Sequence, residues 1–106
     1  MPASTREPSL VCAETELRTG QPIRKVIDGQ AILIVRDDTG VIRAVDDTCT
    51  HAQISLADGF IEGRTVECWA HGARFDLATG QALTLPADHP LTTRRIEVHD
   101  GMIYVT

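Results

Sequence analysis

From residue 10 onward, short apolar runs alternate with turn residues at intervals of about eight to twelve positions. The first run is "LVCA" (10–13), and the polar stretch "ETELRTGQ" after it reads as a turn with at most one turn of helix. "PIRKVIDG" and "QAILIVRD" flank Asp28-Gly29, and such a dipeptide between two apolar runs is a strong hairpin signal. "RDDTG" then turns the chain into "VIRAVDD" (41–47). "FIEGRTVEC", "RFDLATGQAL", "RRIEVHD" and "GMIYVT" follow, with Asp100-Gly101 marking a last hairpin. No stretch keeps apolar residues at helical period for long enough to make a core helix. The pattern predicts an all-β fold, a small antiparallel β-sandwich or barrel. Residues 1–9, "MPASTREPS", are polar, carry two prolines and read as a flexible tail, leaving 10–106 as one domain.

Length and charge narrow the function. A chain of 106 residues builds one modest core, so a bound cofactor can matter for its stability. The net charge of -5 argues against a nucleic-acid partner and suits a partner with positive patches. No apolar run is long enough to span a membrane, and the N-terminal stretch lacks the apolar segment of a signal peptide. The expected setting is the reducing cytoplasm. There, three cysteines point to metal binding or chemistry rather than to disulfides.

Two cysteines and two histidines fall into two tight pairs, Cys49-x-His51 and Cys68-x-x-His71, separated by 16 residues. The first pair follows the strand expected at 41–47. The second interrupts "TVEC" and "RFDL", so both loops can lie at strand ends on one tip of the domain. Two thiolates and two imidazoles suit zinc or an iron–sulfur centre. Zinc sites of this composition commonly pair like with like, whereas each loop here mixes the two types. A mixed pair on each loop can straddle two irons, the cysteine on one and the histidine on the other.

With these residues the chain resembles the Rieske [2Fe–2S] proteins. "CTHAQISLADG", "HGARFDLATGQAL", "LPADHPLTTRRIEV" and "DGMIYV" are similar to the small Rieske ferredoxins of bacterial aromatic-ring-hydroxylating dioxygenase systems, a likeness that runs from about residue 10 to the end. Trp69 stands where that family often has proline. The respiratory branch carries an extra cysteine in each loop. Here Ala52, Gln53 and Ile54 follow His51, and Trp69 and Ala70 precede His71, so the likeness is to the ferredoxin branch.

The resemblance implies one [2Fe–2S] cluster per chain. Cys49 and Cys68 would hold an inner iron, and His51 and His71 an outer iron through neutral ring nitrogens. Two ferric ions, two sulfides and two thiolates sum to a neutral core, so histidine ligation raises the potential relative to four cysteines. The implied function is that of a soluble one-electron carrier, not an enzyme. It would accept electrons from an NAD(P)H-dependent flavoprotein ferredoxin reductase and pass them to a terminal oxygenase in aromatic hydrocarbon catabolism. Two alternatives stand beside it: the small Rieske-like subunit of an assimilatory nitrite reductase, and a Cys2His2 zinc module.

Other residues have smaller expected roles. Gly72 would bring the second loop close to the cluster with backbone N–H groups aimed at sulfur. Cys12 reads as a buried free thiol. His99 reads as exposed, and His89, in "LPADHP", as a surface residue of a segment covering one side of the cluster. Trp69 would shield the cluster, join a docking patch or simply pack. The respiratory proteins place a serine and a tyrosine two and four residues after the second histidine; here Ala73 and Phe75 offer no hydroxyl. That absence implies a potential near the low end of the Rieske range.

Overall fold

The two Asp-Gly dipeptides do turn the chain. In this computed structural model, which describes residues 8–48, 55–69, 72–84 and 90–106, Asp28 and Gly29 stand at φ 50° and 78°, and Asp100 and Gly101 at 52° and 75°. Positive φ at both central residues gives the tight turn whose twist matches that of two antiparallel strands. The first joins β2 (Ile23–Ile27) to β3 (Gln30–Arg36), and the second joins β8 (Ile96–His99) to β9 (Met102–Val105). The other strands are β1 (Ser9–Ala13), β4 (Ile42–Asp46), β5 (Phe60–Glu62), β6 (Thr65–Glu67) and β7 (Arg74–Asp76). Single turns of 3-10 helix lie at Glu14–Glu16, within the stretch expected to turn, and at Leu56–Asp58. Strand β1 starts one residue inside the expected tail, since Ser9 pairs with Val105.

The strands form three antiparallel sheets, ordered β1-β9-β8, β2-β3-β4 and β5-β6-β7. The fold is all-β, as the pattern predicts. The middle sheet explains why "AILIV" is apolar without a break. Side chains alternate across a strand, so a strand buried on both faces needs apolar residues at every position. Leu33 and Val35 of β3, with Val45 of β4, enter a core shared with Val66, Cys68 and Phe75. Ile32 and Ile34, with Ala44, enter a second core shared with Cys12, Ile103 and Val105. Each of the four β3 side chains is almost wholly buried, a contribution of roughly 1.5–3 kcal/mol apiece.

The stretch "RFDLATGQAL" does not run on as one strand. The Asp76 carboxylate accepts the Ala78 N–H at 2.8 Å, and the Gly80 N–H reaches the Asp76 carbonyl at 2.7 Å. These bonds turn the chain after three strand residues, and the Phe75–Ala82 bridge resumes pairing beyond the turn. Farther on, Thr93 bridges Val45, and Arg94 holds Asp46 at 2.6 Å, which covers the free edge of β4.

Candidate metal centre

The base of each Cys/His loop is closed by its own bonds. Thr48 bridges Ser55 in antiparallel fashion, which closes the base of the segment that carries Cys49 and His51. Asp47, just before it, is 1% exposed. Its carboxylate accepts the Ala57 N–H at 2.9 Å and the Ser55 hydroxyl, and its carbonyl accepts the Leu56 N–H at 2.7 Å. On the second loop, Glu67 pairs with Arg74, and the Cys68 N–H reaches the Ala73 carbonyl at 2.7 Å, extending the β6–β7 ladder one step. Cys68 and Ala73 therefore stand at the two feet of the second loop.

Packing brings the two bases together. Leu56, Cys68, Ala73 and Phe75 belong to one buried core. A Cβ on Gly59 would come within 2.1 Å of the Glu67 carbonyl oxygen, so only glycine lets the end of the Leu56–Asp58 turn lie against β6 beside Cys68. The Thr84 hydroxyl then ties the next segment on. It accepts the Arg74 N–H at 2.9 Å and stands 3.3 Å from the Gly72 carbonyl, to which it donates. Three pieces of chain that are distant in sequence thus converge on Cys68.

Cys68 is wholly buried and makes no disulfide, while its neighbour Trp69 is 53% exposed. The chain passes from core to surface at that point. A free thiol at the foot of one loop, in a core shared with Leu56 beside the base of the loop that carries the other Cys/His pair, suits a two-thiolate, two-imidazole cluster. A family model described as the Rieske [2Fe-2S] domain matches residues 7–95.

The chain belongs to the Rieske [2Fe-2S] family. It is 45% identical, over 91% of its length and 90% of the relative's, to the 3-phenylpropionate/cinnamic acid dioxygenase ferredoxin subunit of Photorhabdus laumondii. It is 35% identical to the ferredoxin component of the p-cumate 2,3-dioxygenase system of Pseudomonas putida, over 90% of this chain and 81% of that one. Among solved structures, the ferredoxin of carbazole 1,9a-dioxygenase from Nocardioides aromaticivorans superposes with a TM-score of 0.90 at 29% identity, covering 95% of this chain and 98% of the other. A nitrite reductase small subunit from Mycobacterium tuberculosis gives a TM-score of 0.85 at 21% identity, a likeness of fold alone. The protein is a Rieske ferredoxin, a carrier of electrons on a [2Fe–2S] cluster and not a catalytic subunit. The zinc alternative falls with that assignment.

Of the expected ligands, Cys68 is described, buried at the foot of the second loop. Cys49, His51 and His71 lie outside the described residues, as does His89. The Gly72 N–H donates to the Cys68 carbonyl at 3.0 Å and closes the loop; the amides at 70 and 71 lie outside the described residues. Nothing crowds the missing Cβ of Gly72; the residue is glycine because φ is +72°. Cys12 is a buried free thiol, 4% exposed, and burial followed by the Glu16 carboxylate pushes its pKa up. His99 is exposed and stands edge-on to Tyr104. Trp69 is a surface residue rather than a packing one. Asp47, Gly59 and Thr84 carried no sequence signal that marked them for the site, though "DDTCTH" and "LADG" put two of them next to the motif.

Proposed function

We propose that Cys49 and Cys68 hold one iron and His51 and His71 the other, and that the chain carries single electrons from an NAD(P)H-dependent flavoprotein reductase to a terminal ring-hydroxylating oxygenase. The observation that carries the pathway is the 45% identity to a dioxygenase ferredoxin subunit along nearly the whole chain. A solved complex of oxygenase and ferredoxin in carbazole 1,9a-dioxygenase, 32% identical to this chain with a TM-score of 0.84, supports the oxygenase as acceptor. A carrier filled from NAD(P)H works in the cytoplasm.

When bound, the cluster supplies a site that takes and gives one electron at a moderately low potential. The polypeptide does the rest. Cys68 is sealed in the core, which keeps water from the thiolate side. On this reading His51 and His71 would mark the side of the cluster that a partner approaches. Exposed Trp69 offers that partner an apolar contact, and the net charge of -5 attracts a basic docking surface. No substrate pocket is needed for this task, only a brief, weak contact.

Reconstitution tests the pathway. A flavoprotein reductase, an aromatic-ring oxygenase and this chain should give NADH-dependent hydroxylated product, and omission of the chain should stop it. Added salt should slow the rate by screening the charges. Electron delivery to a nitrite reductase but to no ring-hydroxylating oxygenase would overturn the proposal.

A further inference from the structure

Asp47 does more than close a loop. An asparagine would keep both neutral contacts, its Oδ1 accepting the Ala57 N–H and its Nδ2 donating to the Ser55 hydroxyl oxygen. The third partner of Asp47 would not be drawn to a neutral side chain. Arg24, on β2, places Nε 3.2 Å from Asp47 Oδ2. The two ends of this pair differ in their surroundings, because the carboxylate is 2% exposed and the guanidinium 52%. A buried charge is screened weakly by water and salt, and an exposed one strongly. Asp47 is also close to the centre. It precedes Cys49 by two residues, and a chain cannot span more than about 3.6 Å per residue, so their Cα atoms lie within roughly 7 Å.

We propose that the Asp47–Arg24 pair sets the reduction potential of this ferredoxin. The buried carboxylate is a fixed negative charge that opposes the arrival of an electron. Arg24 offsets part of it from the solvent side. Asp47 is thus a tuning and positioning residue that touches no iron. This rests on the reading that Cys49 and His51 hold the cluster. A purely structural brace would behave differently: removing either partner would loosen the same loop, and both losses would act in the same direction.

Protein-film voltammetry on the cluster-bearing wild type, Asp47→Asn and Arg24→Gln, at low and high salt, separates the two. Asp47→Asn should raise the potential by about a tenfold change in the redox equilibrium, or ~59 mV for one electron. Arg24→Gln should lower it by less, and that drop should shrink in high salt. The visible and electron paramagnetic resonance spectra of both variants should match the wild type, and Arg24→Lys should restore the wild-type potential. Shifts of the same sign, or an Arg24→Gln potential equal to wild type at low salt, overturn the proposal. If Asp47→Asn fails to retain its cluster, the arginine series decides alone by the same criteria. A wild type without two irons and two sulfides overturns the ligand reading and this proposal with it. A normal cluster with an unmoved potential overturns this proposal only.

Discussion

The sheet of β1, β9 and β8 and the sheet of β5, β6 and β7 pack against opposite faces of the same middle sheet, yet they are held by different means. The terminal sheet pairs strands of four and five residues through a two-residue turn, over a core of Cys12, Ile103 and Val105. The sheet that carries Cys68 has strands of only three residues. Its stability comes from side chains that reach across gaps: Arg64 to Asp76 at 3.0 Å, Arg74 to Glu67 at 2.9 Å, and Thr84 to both Arg74 and Gly72. Loops that present ligands have to leave the ladder. Polar side chains then take over the bonds that backbone pairing would have made.

The largest expected difference between the two regions is all-or-none. Cys68→Ser or His71→Ala should abolish the cluster, read as loss of the visible absorption and of two irons and two sulfides per chain. His99→Ala, on the terminal sheet, should leave all three unchanged. A red, reducible His71→Ala protein would contradict the ligand set.

Next, a glycine of the middle sheet contrasts with one beside Cys68. Gly29, in the scaffold turn, has open space around its missing Cβ and is glycine for its φ of +78° alone. An alanine there costs about 1–2 kcal/mol. Gly59 has an ordinary φ of -91° but no room, with the Glu67 carbonyl oxygen 2.1 Å from a Cβ. Gly59→Ala must push the turn off β6, at roughly 1–3 kcal/mol. Because that movement is beside Cys68, it should also speed cluster loss on heating, whereas Gly29→Ala should lower the denaturant midpoint with little effect on cluster retention relative to unfolding.

These contrasts mark what the sequence carried. The scaffold was legible because its signals are local: Asp-Gly between two short apolar runs marks a hairpin, and that reading made "QAILIVRD" a strand. The Cys/His spacing was equally plain, and with the quoted flanks it named the family. The pins were not legible. Nothing near Thr84 announces that its hydroxyl will meet Arg74, and Gly59 looks like a turn glycine until β6 comes to lie against it. Strand β7 ends at Asp76, one residue short of the expected "RFDL", because an aspartate that accepts a backbone N–H two residues on competes with strand pairing, and the apolar pattern does not register that competition.

Acid should act on the middle sheet and on the sheet that carries Cys68 through buried carboxylates. Burial alone would raise the Asp37 pKa, but hydrogen bonds from Thr39, Arg43 and Val41 together hold it below 3.8. At Asp76 burial is likewise outweighed, by the Ala78 N–H and by Arg64. A folded pKa below the unfolded one adds stability that is fully present above about 3.9 and is lost as pH falls through the folded value. Asp37→Asn should therefore cost about 1 kcal/mol near neutral pH and flatten the fall in stability below pH ~4. Asp76→Asn should do the same and also weaken the hold on the 77–80 turn. Denaturant titrations across that pH range check both, and an unaltered slope would show that other groups carry the acid sensitivity.

The smallest expected effect concerns the two cores themselves. Ala73 and Phe75 are wholly buried in the core that contains Cys68, and neither has a hydroxyl to offer to sulfur. Hydrogen bonds to charged groups contribute about 1.5–3 kcal/mol, so each missing donor lowers the potential by at most roughly 60–130 mV. The oxidised cluster also accepts such a bond, and the real difference is a fraction of that. The parent should then lie near the low end of a range of roughly -150 to +300 mV. Ala73→Ser and Phe75→Tyr should each raise the potential by some tens of mV. Phe75 faces inward opposite Val66, so a tyrosine hydroxyl there either reaches an acceptor or costs about 1–3 kcal/mol of stability. Potential and stability measured on the same variant tell these apart. Val105→Thr, which adds a hydroxyl to the other core, should leave the potential where it was. A parent already near the top of the range, or a Val105→Thr shift as large as that of Ala73→Ser, would mean that the missing hydroxyls do not lower the potential.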